Sequence, residues 1–84
     1  MDAEETKRSF GMVLRRLRKV QGLTQEGLAG EADLQRNYVS SIERGRQQPT
    51  LTTIFKLAAA LKCPADEIVR LVGVELARPR RRRA

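Results

Sequence analysis

Histidine and tryptophan are absent from this 84-residue sequence, and cysteine occurs only once, as Cys63. A single cysteine cannot form an internal disulfide, and one cysteine without any histidine offers too few ligands for a zinc site. Without histidine the commonest general base is also missing, and the carboxylates are scattered along the chain. We therefore do not expect an enzyme, a metal site or a cofactor, and we infer no small-molecule ligand.

Long apolar runs are also absent, and no stretch is long enough to span a bilayer. The acidic residues Asp2, Glu4 and Glu5 argue against a secretory signal, which has a basic start. No segment alternates between apolar and polar residues over a useful length, so no strand is predicted. The sequence therefore predicts a cytoplasmic, all-α protein without a membrane segment.

Acidic residues are outnumbered by basic ones, with 10 Asp and Glu against 17 Lys and Arg and a net charge of +7. An excess of this sign favours a nucleic-acid partner. The excess is uneven, because Arg78 and Arg80 to Arg83 lie together at the end of the chain. We therefore divide the chain into a domain over residues 1–77 and a basic tail over residues 78–84.

Apolar residues at helical spacing predict a long helix over residues 6–20, after a frayed acidic start at residues 1–5. The charges of Arg15 and Lys19 on this helix are typical of a solvated face. A denser apolar helix follows over residues 51–62. Its apolar residues are predicted to be central to the core: Leu51, Ile54, Phe55, Leu57, Ala58 and Leu61. A last helix is predicted to begin near residue 64, because proline is favoured in a first helical turn.

Two short helices joined by a sharp turn lie at the centre of the chain, over residues 24–32 and 35–44. Thr24 can cap the first helix with its side chain. Asp33 lies at the turn, where aspartate tolerates the left-handed conformation better than most residues do. Gly45 then ends the second helix in a left-handed conformation. Together with the three longer segments, these helices predict a compact five-helix domain.

The central segment has the pattern TQ-x-x-LA-x-x-A-D-L-x-x-x-Y-V-S-x-IERG-x-x-x-P-T-L. This pattern resembles the helix-turn-helix of the lambda-repressor-like family (Cro/repressor, or Xre, type), and the resemblance extends over about residues 8–70. It implies a lambda-repressor-like DNA-binding domain whose second short helix is the recognition helix. It also implies an ion pair between Arg18 and Glu43, which would tie the first helix of the domain to the recognition helix.

The outward face of the second short helix carries polar side chains that suit the reading of base edges. In the major groove, arginine pairs with guanine, and asparagine or glutamine pairs with adenine. The candidates are Gln35, Arg36, Asn37, Ser40 and Ser41. The resemblance matches Arg36, Asn37 and Ser41 most closely to the base-reading positions of the family. The alternative interpretation is a set of polar side chains that simply face solvent.

Phosphate contacts are expected on both sides of this helix. The N-terminus of the first short helix favours anions, and the resemblance implies that Gln25 contacts a phosphate there and also braces the recognition helix. The resemblance also matches Arg44 and Arg46 to positions near the backbone of the opposite strand. The candidates are Thr24, Gln25, Tyr38, Arg44, Arg46 and Gln47. For Tyr38 two interpretations are open, because its hydroxyl can bind a phosphate or its ring can simply pack.

The last predicted helix carries more apolar residues than the closure of a small core requires. We expect Ile68, Val69, Val72 and Leu76 to form a subunit interface, with simple closure of the core as the alternative. One recognition helix covers only a few base pairs, so specific binding generally needs two copies on half-sites about 34 Å apart. The sequence thus predicts a homodimer on a near-palindromic operator.

We therefore predict a transcriptional regulator, either a repressor or a restriction–modification controller, that binds double-stranded DNA. An antitoxin that neutralises a toxin and represses its own operon is the alternative, since small antitoxins can use the same fold. RNA binding is less well supported, because aromatic residues make up only 4% of the chain. For Arg80 to Arg83, contacts with DNA and a disordered basic tail are equally open.

Overall fold

The computed structural model describes residues 1–79, and these residues form helices without any strand. The five helices are α1 (Ala3–Val20), α2 (Gln25–Ala32), α3 (Arg36–Glu43), α4 (Leu51–Leu61) and α5 (Ala65–Ala77). The predicted all-α fold with five helices is confirmed. Arg80 to Arg83, and with them the two interpretations of the basic tail, lie outside the described residues.

The first helix begins earlier than predicted, because acidic residues at the start of the chain cap it. The Asp2 side chain accepts a hydrogen bond from the Glu5 backbone N–H at 2.8 Å, and the Glu5 carboxylate accepts one from the Asp2 N–H at 3.0 Å. This reciprocal capping box satisfies backbone donors that a helix start otherwise leaves unpaired. The prediction of a frayed start is therefore wrong from Ala3 onward.

The turn between α2 and α3 has the predicted conformation. The Thr24 hydroxyl accepts a hydrogen bond from the Gly27 N–H at 2.9 Å, which caps the start of α2. Asp33 ends α2 with a φ of 56°, in the left-handed region, and Gly45 follows α3 with a φ of 73°. Gln35 precedes α3, but its side chain makes no capping hydrogen bond. The two helices therefore form a helix-turn-helix whose turn depends on a left-handed aspartate.

A core of apolar side chains contributed by all the helices holds α2 and α3 against the rest of the domain. The largest fully buried side chains are Leu14, Leu28, Ile42, Leu57, Leu61, Ile68, Val13 and Val39. Full burial of a side chain of this kind contributes about 1.5–3 kcal/mol. Leu28, Ala29 and Ala32 of α2 are all buried, so packing holds this helix although Gly27 and Gly30 weaken it in isolation.

Helix α4 is less buried than its composition predicts. Leu57, Ala58 and Leu61 lie in the core, but Leu51 is 68% exposed and Phe55 is 59% exposed. The prediction that these two residues are central to the core is wrong, because a helix packed on one side turns only part of its circumference toward the core. Leu51 and Phe55 are one helical turn apart and lie on the same side of α4, so this exposed side is apolar.

The predicted subunit interface on α5 is wrong at Ile68, and Val72 is almost completely buried. Ile68 has 0% exposure and Val72 has 7%, so both residues belong to the core of a single chain. Both side chains pack in the core of the same chain, and only Val72 keeps a small surface, which lines an apolar groove together with Val69. Val69 is 54% exposed, and Leu76 is partly buried against the core. Of the four predicted residues, Val69 and Leu76 therefore keep most of the surface on which an interface can form.

Among the helices of residues 1–79, none combines the length and the apolar character that a membrane crossing needs. Within the same range, no three or more His, Cys, Asp or Glu side chains are grouped so that they could hold a metal ion. Cys63 is partly buried, and this burial raises the pKa of its thiol above the ordinary value. The thiol therefore stays protonated and weakly nucleophilic at neutral pH.

Candidate nucleic-acid interface

The exposed side of α3 carries the polar side chains that the sequence assigns to base reading. The candidates occupy the start of the helix and its outer side: Gln35, Arg36, Asn37, Ser40 and Ser41. Arg36 and Asn37 are exposed, whereas Val39 and Ile42 on the opposite side are fully buried. The structure thus brings the candidate residues together on one accessible surface.

The side chains of Arg36 and Asn37 form no hydrogen bond or ion pair with any other residue of the range 1–79. Arginine presents five N–H donors in a planar fork, and asparagine presents both a donor and an acceptor. The major groove of B-DNA admits one α-helix and shows a different donor and acceptor pattern for each base pair. An exposed helix with unpaired groups of these types is therefore suited to direct recognition of bases.

Beneath this surface, Glu43 at the end of α3 is bound to α1 by a buried ion pair with Arg18. Arg18 Nε donates to Glu43 Oε2 at 2.6 Å, and Nη2 donates to Oε1 at 3.1 Å. The Arg18 and Glu43 side chains are only 10% and 3% exposed. The hydrogen bonds to Glu43 raise the pKa of Arg18 above its ordinary value, although burial opposes this shift. The ion pair that the resemblance implies is thus present.

The same carboxylate joins α3 to α2 through Gln25. Gln25 Nε2 donates to Glu43 Oε1 at 3.0 Å, while Arg18 Nη1 donates to the Leu23 carbonyl oxygen at 2.7 Å. A carboxylate paired with arginine only accepts hydrogen bonds, so the amide nitrogen of Gln25, and not its oxygen, faces Glu43. This nitrogen carries a second N–H that can bind another acceptor. The brace between Gln25 and α3 is present, and the phosphate contact of Gln25 stays a prediction.

Gly11 on α1 permits a close contact with the end of α3 that sequence reasoning missed. A Cβ atom at this position would lie 2.5 Å from the carbonyl oxygen of Ile42 and 2.6 Å from that of Glu43. Backbone atoms cannot move aside as a flexible side chain can, so a larger residue would push the two helices apart. The feature of the sequence that indicates such a contact is a glycine inside a helical pattern, because glycine destabilises a helix and is retained where close packing requires it.

Tyr38 connects another side of α3 to α4. Its hydroxyl lies 3.3 Å from Thr53 Oγ1, which in turn lies 3.0 Å from Thr50 Oγ1. Thr50 also caps α4, because its hydroxyl accepts a hydrogen bond from the Thr53 N–H at 3.1 Å. Sequence reasoning did not single out Thr53, which is only 6% exposed. Of the two interpretations of Tyr38, this arrangement favours packing between α3 and α4.

The remaining phosphate candidates lie on exposed turns around α3. Thr24 at the start of α2 is exposed, as are Arg44, Arg46 and Gln47 after α3. Arg44 and Arg46 have no acidic partner within residues 1–79. The Arg46 N–H donates to the Ser41 carbonyl oxygen at 2.9 Å, which holds this turn against α3. Unpaired cations in this place can bind phosphate oxygens, and such contacts position a protein on DNA without reading its sequence.

Comparison with known proteins gives two kinds of match. The family model HTH_3, described as helix-turn-helix, matches residues 14–68. An uncharacterized HTH-type transcriptional regulator of Sinorhizobium fredii, y4dJ, is 38% identical over 65 residues, which cover 77% of this chain and 84% of that protein. The residues that the family model matches contain the whole candidate interface from Arg18 to Gln47.

Two solved structures extend the similarity to the fold. The restriction-modification controller protein C.AhdI from Aeromonas hydrophila has a TM-score of 0.72 at 44% identity, with 74% of this chain and 94% of that chain covered. The controller C.Esp1396I, solved as a tetramer in complex with its natural 35 base-pair operator, has a TM-score of 0.79 at 25% identity, with 87% and 96% covered. The chain therefore belongs to the HTH_3 helix-turn-helix family, as the resemblance to lambda-repressor-like domains predicts.

Proposed function

We propose that the chain is a sequence-specific transcriptional regulator that binds double-stranded DNA, and that it is of the repressor or restriction–modification controller type. The observation that carries this proposal is the outer surface of α3, where Arg36 and Asn37 are exposed and unpaired within residues 1–79. Similarity to the controllers C.AhdI and C.Esp1396I supports it. A regulator acts where its operator is, so the proposal includes a cytoplasmic location.

In the proposed complex α3 lies in the major groove, and residues near its N-terminus meet base edges. Arg36 binds O6 and N7 of a guanine through two hydrogen bonds, and Asn37 binds an adenine in a similar bidentate manner. Each such pair contributes about 1–3 kcal/mol of discrimination against the wrong base. Gln35, Ser40 and Ser41 supply further contacts around these two.

Phosphate contacts are proposed on two flanks of α3. On one flank, Gln25 donates its second N–H to a phosphate while the first stays bound to Glu43. The Thr24 end of α2 reinforces this contact, because helix N-termini favour anions. On the other flank, Arg44, Arg46 and Gln47 approach the backbone of the opposite strand. These contacts set the orientation of α3, and the base contacts then set the sequence preference.

The proposal includes a homodimer, with an interface on the exposed apolar side of α4 in place of the buried residues of α5. Leu51 and Phe55 are exposed on this side. Ile54 lies beside them and lines an apolar groove together with Val69 of α5. Ile54 is adjacent to Phe55 on α4, so the groove borders the exposed apolar side of the helix, and exposed apolar surface of this kind often marks an interaction site. A second copy is the proposed occupant, because paired half-sites require paired recognition helices.

The interface is tested by Phe55→Glu, which places a charge at the centre of this apolar surface. We expect a monomer in sedimentation velocity, together with weaker operator binding at low protein concentration. Val20→Glu is the matched control, because Val20 is 75% exposed at the end of α1 and lies outside the surface. A wild-type monomer, or a Phe55→Glu protein that still sediments as a dimer, would rule out this interface.

The function is tested by selecting bound duplexes from a random library. We expect enrichment of two related half-sites in dyad symmetry, with centres about 34 Å apart or a multiple of that spacing. Repeating the selection with Arg36→Ala should lose the preference at one position in each half-site and keep the rest. Recovery of unrelated sequences with the wild-type protein would contradict sequence-specific binding.

An antitoxin is the alternative function, and a partner protein distinguishes it from a regulator. The chain can be affinity-purified from cells of its native host. A regulator should elute as a lone dimer that binds its operator. An antitoxin should elute with a second protein in a fixed ratio, and loss of the chain should then be toxic.

A further inference from the structure

Cations form a stripe along the exposed side of α1, outside the interface described above. Arg8, Arg15 and Lys19 are all exposed, and their spacing of seven and four residues places them on one side of the helix. None of their side chains has a hydrogen bond or ion pair with another residue of the range 1–79. The neighbouring Arg16 differs, because its Nη2 lies 3.5 Å from Glu75 Oε1 on α5.

The stripe runs beside the end of α3. Gly11, one helical turn before Arg15, touches the last carbonyl groups of α3, and Arg18 is bound to the last carboxylate of that helix. Farther toward the N-terminus, a Cβ on Gly45 would lie 3.2 Å from Arg8 Cα. Helix α1 therefore runs beside the end of α3 from Arg8 to Arg18.

The exposed sides of α1 and α3 join into one surface. On α1 the contact with α3 is made by Gly11 and Arg18, which lie between the buried apolar side of the helix and the stripe. On α3 the contact is made by Glu43, which lies between the buried side of that helix and the side that carries Arg36. Because both helices bury their apolar sides in the same core, their exposed sides adjoin across this contact. The stripe therefore continues the surface that faces DNA in the proposed complex.

We propose that Arg8, Arg15 and Lys19 bind the phosphate backbone of the same duplex, just outside the base pairs that α3 contacts. This inference rests on the proposed function and extends its footprint. Duplex DNA carries one negative charge per about 1.7 Å of its axis, and the stripe extends over about 16 Å of helix, so it spans several phosphates. Continuity with α3 favours DNA over an acidic protein as the occupant, because the duplex is already held at this side.

The first test measures the salt dependence of DNA binding for Arg15→Gln and for Lys19→Gln. Glutamine removes the charge and remains a good helix former. Each lost phosphate contact should make the slope of log affinity against log salt shallower by about 0.9, or by about 2 in a dimer. Lys62→Asn is the matched control. It removes an exposed charge at the far end of α4, at a left-handed residue with a φ of 59° that asparagine tolerates.

The second test compares two duplexes that contain the same selected half-sites. One duplex ends at the outer edge of the half-sites, and the other continues for about 10 base pairs on each side. The wild-type protein should bind the longer duplex more tightly. The Arg15→Gln/Lys19→Gln double variant should bind the two duplexes equally, and Lys62→Asn should behave like the wild type.

The outcomes separate this inference from the proposed function. If the wild-type protein selects no sequence, the proposed function fails, but a shallower salt slope for the stripe variants on arbitrary duplex DNA still supports the stripe contact. If the wild-type protein selects an operator and the stripe variants match Lys62→Asn in both tests, the stripe does not bind DNA. Binding of an acidic protein that the stripe variants lose, with unchanged DNA binding, would identify the other occupant and overturn the inference.

Discussion

The two sides of α3 differ in how their polar groups are paired. On the outer side, the side chains of Arg36 and Asn37 have no partner within residues 1–79. On the inner side and at its margin, where Glu43 lies, the Glu43 carboxylate accepts hydrogen bonds from both Arg18 and Gln25, so one group at the end of α3 is tied to α1 and to α2. The outer side therefore has capacity for a ligand, and the inner side has almost none.

This difference explains how a short helix can present unpaired groups without losing its position. Helix α3 has only 8 residues and no side-chain cap, and so short a helix is marginal in isolation. Its place depends on buried apolar contacts and on the bonds made by Glu43 and Tyr38. Groups that are held in position before binding lose less conformational entropy when they bind. Substitutions on the two sides should consequently affect different measurements.

Glu43→Ala is expected to have the largest effect, on the inner side. It leaves the Arg18 guanidinium in a site where only 10% of its side chain is exposed and where its main acceptor is gone. We expect a loss of about 3–5 kcal/mol in the free energy of unfolding, measured in urea. Glu67→Ala is the control, because it removes an exposed ion pair with Arg70 at 2.7 Å and should change stability little. Equal losses for the two variants would contradict the role assigned to the buried pair.

Arg36→Ala, on the outer side, should separate binding from stability. The side chain is exposed and unpaired within residues 1–79, so the free energy of unfolding should change by less than about 0.5 kcal/mol. Specific DNA binding should weaken by about 1–3 kcal/mol, with relaxed preference at one base pair. Fluorescence anisotropy with operators varied at each position measures this. A loss of stability as large as that of Glu43→Ala would show that the two sides are not independent.

Gly11→Ala should destabilise the domain through the contact between α1 and α3. The added Cβ would meet backbone carbonyl oxygens at 2.5 and 2.6 Å, while alanine gains about 1 kcal/mol in helix propensity. We expect a net loss of about 1–2 kcal/mol in thermal or urea unfolding. Gly73→Ala is the matched control in α5, because within residues 1–79 no atom beyond its chain neighbours and the backbone of its own helix lies within 4 Å of its Cβ position. That variant should gain up to about 1 kcal/mol, so the two glycines should respond with opposite signs.

The outer side of α3 could be predicted from the sequence because helical periodicity is local information. Once Val39 and Ile42 are assigned to the buried side, the exposed positions of Arg36 and Asn37 follow from the helical period. The pairing of Glu43 with Arg18 could be predicted only from the family resemblance, because nothing near Glu43 in the sequence identifies Arg18 as its partner. The fold could be predicted from the same two sources, the helical period of the apolar residues and the family resemblance.

The contacts between helices could not be predicted, because they depend on how distant segments approach each other. Ile68 and Val69 are adjacent apolar residues, yet one is fully buried and the other is 54% exposed. A rotation of about 100° separates them on the helix, and composition does not show which of them faces the core. The prediction places Phe55 in the core for the same reason, although Phe55 is 59% exposed. Gly11 and Thr53 were missed because their partners, at the end of α3 and at Tyr38, are distant in sequence.

Tyr38→Phe should have the smallest effect, and it decides between the two interpretations of this residue. The substitution keeps the ring and removes a hydroxyl that lies 3.3 Å from Thr53 Oγ1, while Thr53 keeps Thr50 as a partner. Because no buried group is orphaned, the free energy of unfolding should fall by only about 0.5–1 kcal/mol. Salt dependence of DNA binding should stay unchanged if the hydroxyl serves only the packing of α3 on α4.

A double-mutant cycle with Thr53→Val shows whether this loss belongs to the bond with Thr53. The two substitutions should be non-additive by roughly the cost of the bond, because the second one removes a partner that is already missing. Additive losses, combined with a salt slope of DNA binding shallower by about one unit per protomer, would assign the hydroxyl to a phosphate. Tyr38 would then belong to the outer side of α3 and not to its attachment to α4.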